Sequence, residues 1–84
     1  MAPMATHDVR VPKMGMGSTE VDVIALLVGV GDAVVSSTPL LEIESEKASF
    51  IIEAELAGTV AEILVAVGDV VETGAVVCRI EADG

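Results

Sequence analysis

The chain has 84 residues, which fits one domain, and 14 acidic against four basic residues give it a formal net charge of −10. That charge repels phosphate backbones and anionic lipid, and the single aromatic residue leaves no stacking platform for bases, so neither a nucleic acid nor a membrane is expected as a partner. One cysteine and one histidine exclude an intramolecular disulfide, a cysteine-based metal site and a His-activated nucleophile in the core.

Hydrophobic residues make up 52% of the chain, but charged residues interrupt every apolar run. The two longest runs, 23–31 and 33–41, reach about half the length of a membrane-spanning helix. The chain does not open with a basic region followed by an apolar core, so no signal peptide is evident. We therefore expect a cytoplasmic domain that is monomeric in isolation.

At the N-terminus, residues 1–7 show no strand or helix pattern, and we expect them to form a flexible N-terminal tail with a solvated His7. Residues 8–82 are predicted to form the folded domain. Within it, residues 23–44 and 60–81 are identical at nine of 22 positions when they are aligned with an offset of 37. Two copies are too few for a solenoid, but two copies related by an approximate two-fold axis can bury one shared core.

Period-two apolar patterns in both copies predict strands with one buried face. The rows predicted to face the core are Ile24, Leu26, Val28 and Val30, the equivalent Ala61, Ile63, Val65 and Val67, and Ala48, Phe50, Ile52, Ala54 and Leu56. Turns are predicted at Gly31-Asp32, Ala57-Gly58, Gly68-Asp69 and Thr73-Gly74. No segment shows a capped helical period. The predicted fold class is all-β, a flattened barrel or sandwich of two four-stranded antiparallel sheets with a quasi-two-fold internal repeat.

One short polar segment, Glu-Ser-Glu-Lys-Ala at residues 44–48, separates the predicted strands Leu40–Glu44 and Ala48–Leu56. It places Lys47, one of two lysines, in a hairpin turn. With the offset of 37, Lys47 is equivalent to Arg10 and Gly84, which predicts the turn at one end of the molecule and both termini near the other. The pattern alone favours an ordinary exposed lysine in a turn.

Catalytic and metal-binding patterns are missing from the sequence. The acidic residues are spread along strands and turns without the spacing of a calcium loop, and no Gly-rich phosphate loop is followed by a helix. Cys78 lies on an apolar strand row, where a buried thiol is expected. No catalytic residue and no metal ligand is predicted.

The segment Glu-Ser-Glu-Lys-Ala resembles the Glu-Thr/Ser-Asp-Lys-Ala motif of lipoyl domains from 2-oxo acid dehydrogenase complexes. The resemblance runs from Val9 to Glu81 and includes the opening Val-Pro-Lys-Met-Gly of residues 11–15 and both Gly-Asp turns. Two features depart from the family pattern. Glu46 stands where Asp is usual, and residues 37–39 replace a turn that often contains Gly-Asp, in a loop expected near the lysine.

This resemblance implies a carrier domain that is not itself an enzyme, with lipoic acid joined to Lys47 by an amide bond. The residues that would present Lys47 to the modifying enzyme and to partners are Glu44, Ser45, Glu46 and Ala48. The implied partners are a thiamin-diphosphate-dependent 2-oxo acid decarboxylase, a dihydrolipoamide acyltransferase, dihydrolipoyl dehydrogenase and a lipoate-attaching enzyme. The arm would shuttle acyl groups and reducing equivalents between them.

Alternatives to this interpretation stay open. A biotin carboxyl carrier domain has the same fold, but its lysine normally lies between two methionines, whereas Lys47 lies between Glu46 and Ala48. An unmodified interaction module is a third possibility. The sequence is compatible with a free-standing chain and with part or an accessory subunit of a dihydrolipoamide acyltransferase.

Overall fold

The computed structural model describes residues 5–13, 20–46 and 48–82, and these contain eight β-strands. The strands are β1 (Thr6–Arg10), β2 (Glu20–Leu26), β3 (Ala33–Val34), β4 (Pro39–Glu44), β5 (Ser49–Glu53), β6 (Gly58–Ile63), β7 (Val70–Glu72) and β8 (Val76–Ala82). They form sheet A, in the order β1-β8-β6-β3, and sheet B, in the order β5-β4-β2-β7. All pairings are antiparallel, which confirms the predicted fold class.

The core lies between the two sheets and is aliphatic apart from Cys78. Its buried members are Val9, Val11, Val21, Val23, Val34, Leu40, Leu41, Ile43, Ile52, Ala54, Val60, Val77, Cys78 and Ile80. No polar side chain in the described part of the chain is buried with them. β-Branched residues dominate because their stiff side chains pack well on a pleated surface, and each fully buried Val or Ile contributes about 1.5–3 kcal/mol. Packing of both inner faces therefore holds the domain together.

The predicted inward row that begins at Ile24 is correct only in part, because Val28 packs against the core whereas Ile24 and Val30 are exposed. Val21 and Val23 are buried, whereas Ile24 and Leu26 are each 36% exposed. The pairing register shifts between Val23 and Ala25, so Ile24 occupies a β-bulge, and after the shift Leu26 lies opposite the buried Leu41 on the inner side of the sheet. The equivalent strand β6 buries Val60 and shifts register in the same way before Glu62. In β5 the predicted alternation is confirmed.

The two sheets are related by the internal repeat. An offset of 37 relates β2 to β6, β3 to β7 and β4 to β8, as the repeat predicted. For the remaining pair, β1 and β5, cross-strand partners give an offset of 43, because Val9 pairs with Cys78 where Ile52 pairs with Leu41. The predicted equivalence of Lys47 and Arg10 is therefore wrong.

The same relation makes Ala5 and Ala82 the counterparts of Ala48 and Ser45 in the β4–β5 turn. The amide of Ala82 donates to the carbonyl of Ala5 at 2.8 Å, and the amide of Ser45 donates to the carbonyl of Ala48 at the same distance. By the offsets of 37 and 43, these are equivalent hydrogen bonds. The hydrogen bond between Ala82 and Ala5 thus closes sheet A as the β4–β5 turn closes sheet B.

Both predicted Gly-Asp turns are present and built alike. Gly31 and Gly68 have φ values of 95° and 98°, in the left-handed region that favours glycine. The carboxylates of Asp32 and Asp69 accept backbone N–H bonds of 2.8 and 2.9 Å from the residues three positions earlier. These bonds replace backbone partners within each turn and fix its shape.

Gly58 has another role than the predicted turn. It begins β6, and a Cβ atom at this position would collide with the backbone oxygen of Glu81. Glycine is required there because β6 and β8 approach closely.

The strand β1 begins at Thr6 and so includes Thr6 and His7, two residues that were predicted to belong to the tail. His7 pairs with Ile80 of β8 and is half-buried, its Nε2 atom enclosed 4.0 Å from Glu55 Oε1. Residues 1–4 lie outside the described part. Strand pairing with β8 explains why the ordered structure starts earlier than its composition indicated. In the described residues there is no helix of the length and apolarity needed to cross a membrane.

Candidate functional site

The turn between β4 and β5 is the site that the sequence singled out. Glu44, at the end of β4, pairs with Ser49, at the start of β5. The backbone amide of Ser45 donates to the carbonyl of Ala48 at 2.8 Å, and the Ser45 hydroxyl donates to the same carbonyl at 3.2 Å. Lys47 itself lies outside the described residues. The residues on either side of it are therefore fixed by strand pairing and by two hydrogen bonds to one acceptor.

The four predicted recognition residues come together at this turn. They line an open recess of about 490 Å³, together with two residues that sequence reasoning missed; the lining is Asp22, Glu44, Ser45, Glu46, Ala48 and Ser49. Asp22 belongs to β2 and is the cross-strand partner of Glu44. Its position beside Glu44 depends on the pairing of β2 with β4, which the local sequence does not predict. The local sequence shows only that Asp22 lies between two apolar residues and so faces outward from β2.

The surroundings of the turn are strongly acidic. Asp22, Glu44 and Glu46 line the recess, and the four strands of sheet B contain no Lys, Arg or His. Carboxylates at this spacing attract a cation and disfavour anions near the turn. The recess is open, and its lining consists of three carboxylates and three short side chains, so space is left beside the turn for a side chain that projects from it.

The loop at residues 37–39 does not lie near this turn. Ser37 donates its amide to the carbonyl of Ala54 at 2.7 Å, and Ala54 donates to the carbonyl of Thr38 at 2.9 Å. Ala54 follows the end of β5, whereas the lysine turn precedes its start, which separates the two by about 16 Å along the strand. The expected proximity of this loop to Lys47 was wrong, because it pairs with the far end of the hairpin.

Other candidate groups are structural. Cys78 is buried, as predicted, and burial raises the pKa of its thiol, which keeps it protonated and unreactive. Arg79 is held between Asp8 and Glu62, whose hydrogen bonds raise the pKa of the guanidinium. The described residues hold no group of three or more His, Cys, Asp or Glu side chains suited to a metal ion.

The family model of biotin/lipoyl domains, described as "Biotin-requiring enzyme", matches residues 7–80. That range contains all eight strands, apart from the first residue of β1 and the last two residues of β8. The match therefore extends over both sheets and the intervening turn.

Curated relatives extend over nearly the whole chain. The acetyltransferase component of the pyruvate dehydrogenase complex from Haemophilus influenzae is 40% identical over 83 residues, which are 99% of this chain and 15% of the relative. The corresponding component from Corynebacterium glutamicum is 42% identical over 82 residues, 94% of this chain and 12% of the relative. The chain thus spans less than a sixth of the length of these relatives.

Solved structures share the fold. The lipoyl domain of the 2-oxoglutarate dehydrogenase complex from Azotobacter vinelandii superposes with a TM-score of 0.76 at 26% identity, covering 92% of this chain and 98% of that one. The urea carboxylase of Kluyveromyces lactis superposes with a TM-score of 0.78 at 25% identity, covering 95% of this chain and 6% of that one. Backbone similarity alone therefore does not separate the two kinds of protein.

Proposed function

The chain belongs to the biotin/lipoyl-attachment family, and on that premise we propose that it is a lipoyl carrier domain whose Lys47 bears lipoic acid in amide linkage. The observation that carries the proposal is the 40–42% identity, over at least 94% of the chain, to acyltransferase components of 2-oxo acid dehydrogenase complexes. The geometry supports it, since the residues flanking Lys47 form a closed turn beside an open recess.

The described residues fit such a group. An arm that visits several active sites needs a fixed base and free space around it. The Ser45–Ala48 hydrogen bonds supply the fixed base, and no apolar cavity beside the turn is available to hold the arm down, since six short or acidic residues line the recess. When bound, the lipoyl group supplies a dithiolane that accepts an acyl group and two electrons. The protein positions the amine for attachment and contributes no catalytic group.

The function within a complex is part of the same proposal. We infer that the domain passes acyl groups from a thiamin-diphosphate-dependent 2-oxo acid decarboxylase to a dihydrolipoamide acyltransferase, and electrons to dihydrolipoyl dehydrogenase. The names of the relatives support this role, and the chain's share of their length is that of one domain in a larger acyltransferase. Such a complex would operate in the cytoplasm. Glu44, Ser45, Glu46 and Ala48 are the proposed contacts of the lipoate-attaching enzyme.

A biotin carrier is the second candidate, because the urea carboxylase superposes as well as the lipoyl domain does. The side chains beside Lys47 favour lipoate. Glu46 and Ala48 flank the lysine, and Asp22 and Glu44 add negative charge to the recess, where a biotin site would be expected to have methionines next to the lysine.

Intact mass of protein purified from its native host tests the proposal, with peptide mapping to locate any modification. We expect the mass increase of one lipoyl group, confined to Lys47. A Lys47→Arg variant is expected to show no increase, and the matched control Lys13→Arg to be modified fully. Biotin on Lys47 would assign the chain to the carboxylases. An unmodified Lys47, in cells whose other lipoyl proteins are fully modified, would refute both carrier functions and leave an interaction module.

A further inference from the structure

The quasi-two-fold relation makes sheet A an internal reference for sheet B. The two sheets have the same strand order, the same bulges and the same aliphatic inner face. What the fold requires of one outer face, it requires equally of the other. The backbone therefore does not impose a difference between the two outer faces.

The second row of side chains from the β4–β5 turn shows the largest difference. In sheet A, cross-strand partners place Arg79 between Asp8 and Glu62, and the guanidinium donates to their carboxylates at 3.0 and 2.9 Å. The equivalent row of sheet B, by the register of its strands, is Ala25, Glu42 and Ile51. The central position thus changes from a neutralised arginine to a glutamate between two apolar residues.

Within the described residues, Glu42 forms no ion pair, and Ile51 is 46% exposed. Half-burial removes part of the hydration of the Glu42 carboxylate without an ion pair to compensate for it, and the neighbouring Ile51 leaves apolar surface in water. In sheet A the same positions are satisfied internally by the Asp8–Arg79–Glu62 network. The strands of sheet B contain no basic residue that could pair with Glu42 as Arg79 pairs with Asp8 and Glu62.

The first row, adjacent to the turn, differs in the same direction. In sheet A it consists of Ala33, Thr59, Glu81 and Thr6, and in sheet B of Val70, Asp22, Glu44 and Ser49. Val70 is 60% exposed where its counterpart is an alanine. Sheet B thus presents larger aliphatic side chains at both rows, with Ile24 exposed at the bulge between them. Its first row has two carboxylates where sheet A has one, and its second row has one carboxylate without an ion pair where sheet A has two that bind Arg79.

Ile51, Ile24 and Val70 expose apolar surface around Glu42, and a protein that covered this surface would have to pair the carboxylate with a basic group of its own. Here the rim is acidic and continuous with the lysine turn, because the first row ends at Ser49, beside the recess. The complementary surface has a basic side chain set among apolar groups, and a protein that covered both rows would have the turn at its edge. The second row lies only about 7 Å further along the strands.

We propose that the outer face of sheet B is the docking surface for the decarboxylase that loads the arm, which seats an Arg or Lys side chain on Glu42 between Ala25 and Ile51. This inference rests on the proposed function and assigns a surface to one of its steps. The enzyme that attaches lipoate needs access only to the amine at the turn. The decarboxylase has to hold the arm in its own active site, so additional contacts with the domain beyond the turn favour loading. The decarboxylase is therefore the occupant that the position of these rows favours.

Steady-state reductive acylation tests the proposal, using the chain with Lys47 fully lipoylated, as checked by mass, and the 2-oxo acid decarboxylases purified from its native host. The variants are Ile51→Asp and Glu42→Arg, which introduce the residues that occupy the equivalent positions of sheet A and so suit this backbone. We expect each to lower kcat/KM about tenfold or more through KM, as for a central interface residue. The matched control Thr59→Lys, on the outer face of sheet A, is expected to stay within about twofold.

The sign of the Ile51→Asp effect separates docking from simple charge attraction. The substitution adds a negative charge, so long-range attraction to a basic enzyme would raise the rate, whereas the loss of an apolar contact lowers it. Loading of both sheet B variants at the wild-type rate would overturn the docking surface while leaving the carrier function intact. A lower extent of lipoylation with unchanged loading would assign the face to the attaching enzyme and would overturn the proposal as well. A lipoylated wild-type domain that no host decarboxylase loads would refute the proposed function itself.

Discussion

At the scale of single residues, Ser37 is the one non-glycine among the described residues with a positive φ, at 77°. Its counterpart in the second half of the repeat is Gly74, with a φ of 87°. The loop keeps this conformation because the Ser37 amide donates to the carbonyl of Ala54 and the Thr38 hydroxyl accepts from the amide of Val35 at 2.9 Å. Ser37 therefore carries a backbone strain that its counterpart avoids.

We expect Ser37→Gly to raise the free energy of unfolding by about 0.5 kcal/mol, because relief of the left-handed strain exceeds the extra entropy of glycine in the unfolded chain. The reverse change, Gly74→Ser, is expected to lower it by a similar amount of about 0.5 kcal/mol. Urea unfolding of both variants checks this. A loss of stability in Ser37→Gly would show that the serine side chain contributes more than its backbone strain costs.

At the scale of strands, the repeat predicted the pairing of sheets but not which residues face the core in β2. Two apolar rows compete in that strand, since Val21, Val23, Ile24 and Leu26 are all apolar. The bulge after Val23 decides between them, and it depends on the pairing with β4. In β5, by contrast, Ser49 and Glu53 mark the outer face, so the alternation predicted the buried residues correctly. Local pattern predicts burial only where polar residues label the opposite face.

For the candidate site, the sequence predicted the residues that are neighbours along the chain and missed those that only strand pairing brings there. The acidic residues and Ala48 are neighbours in sequence, so the hairpin alone places them around the turn. Asp22 was missed because it lies 22 positions before Glu44 and reaches it only through the β2–β4 register. The loop at residues 37–39 was misplaced for a related reason, since its hydrogen bonds lead to Ala54 at the far end of β5.

The outer faces of the two sheets also differ in what they contribute to stability. Arg79 bridges Asp8 and Glu62, so Arg79→Gln is expected to lower the urea midpoint, and the loss is expected to shrink at high salt because the ion pairs are partly exposed. In sheet B, Glu42→Gln removes a carboxylate without an ion pair among the described residues and is expected to leave the midpoint unchanged or to raise it. Equal losses in both variants would mean that Glu42 has a stabilising partner and would weaken the contrast between the faces.

At the scale of the whole molecule, the two-fold relation makes the chain ends and the lysine turn structurally equivalent. Only residues 46 and 47 separate Ser45 from Ala48, and the equivalent residues Ala82 and Ala5 are held by the same 2.8 Å hydrogen bond. Two intervening residues would therefore bridge Ala82 to Ala5 as they bridge sheet B. The position of the chain ends is then a matter of connectivity and not of packing, because both sheets contribute equally to the core.

A circular permutant tests that equivalence. We expect a chain that joins Ala82 to Ala5 through Asn-Gly and opens between Glu46 and Lys47 to fold cooperatively, with an unchanged far-ultraviolet spectrum, because every strand pairing is retained. It should escape modification, since Lys47 becomes a terminal residue outside a closed turn, and so would separate folding from carrier function. A control opened between Leu41 and Glu42 interrupts β4, which lies between β5 and β2, and is expected not to fold. If the first permutant also fails to fold, the β4–β5 turn nucleates or stabilises sheet B in a way that the chain ends do not match in sheet A, and the two-fold relation is one of shape without equivalence in energy.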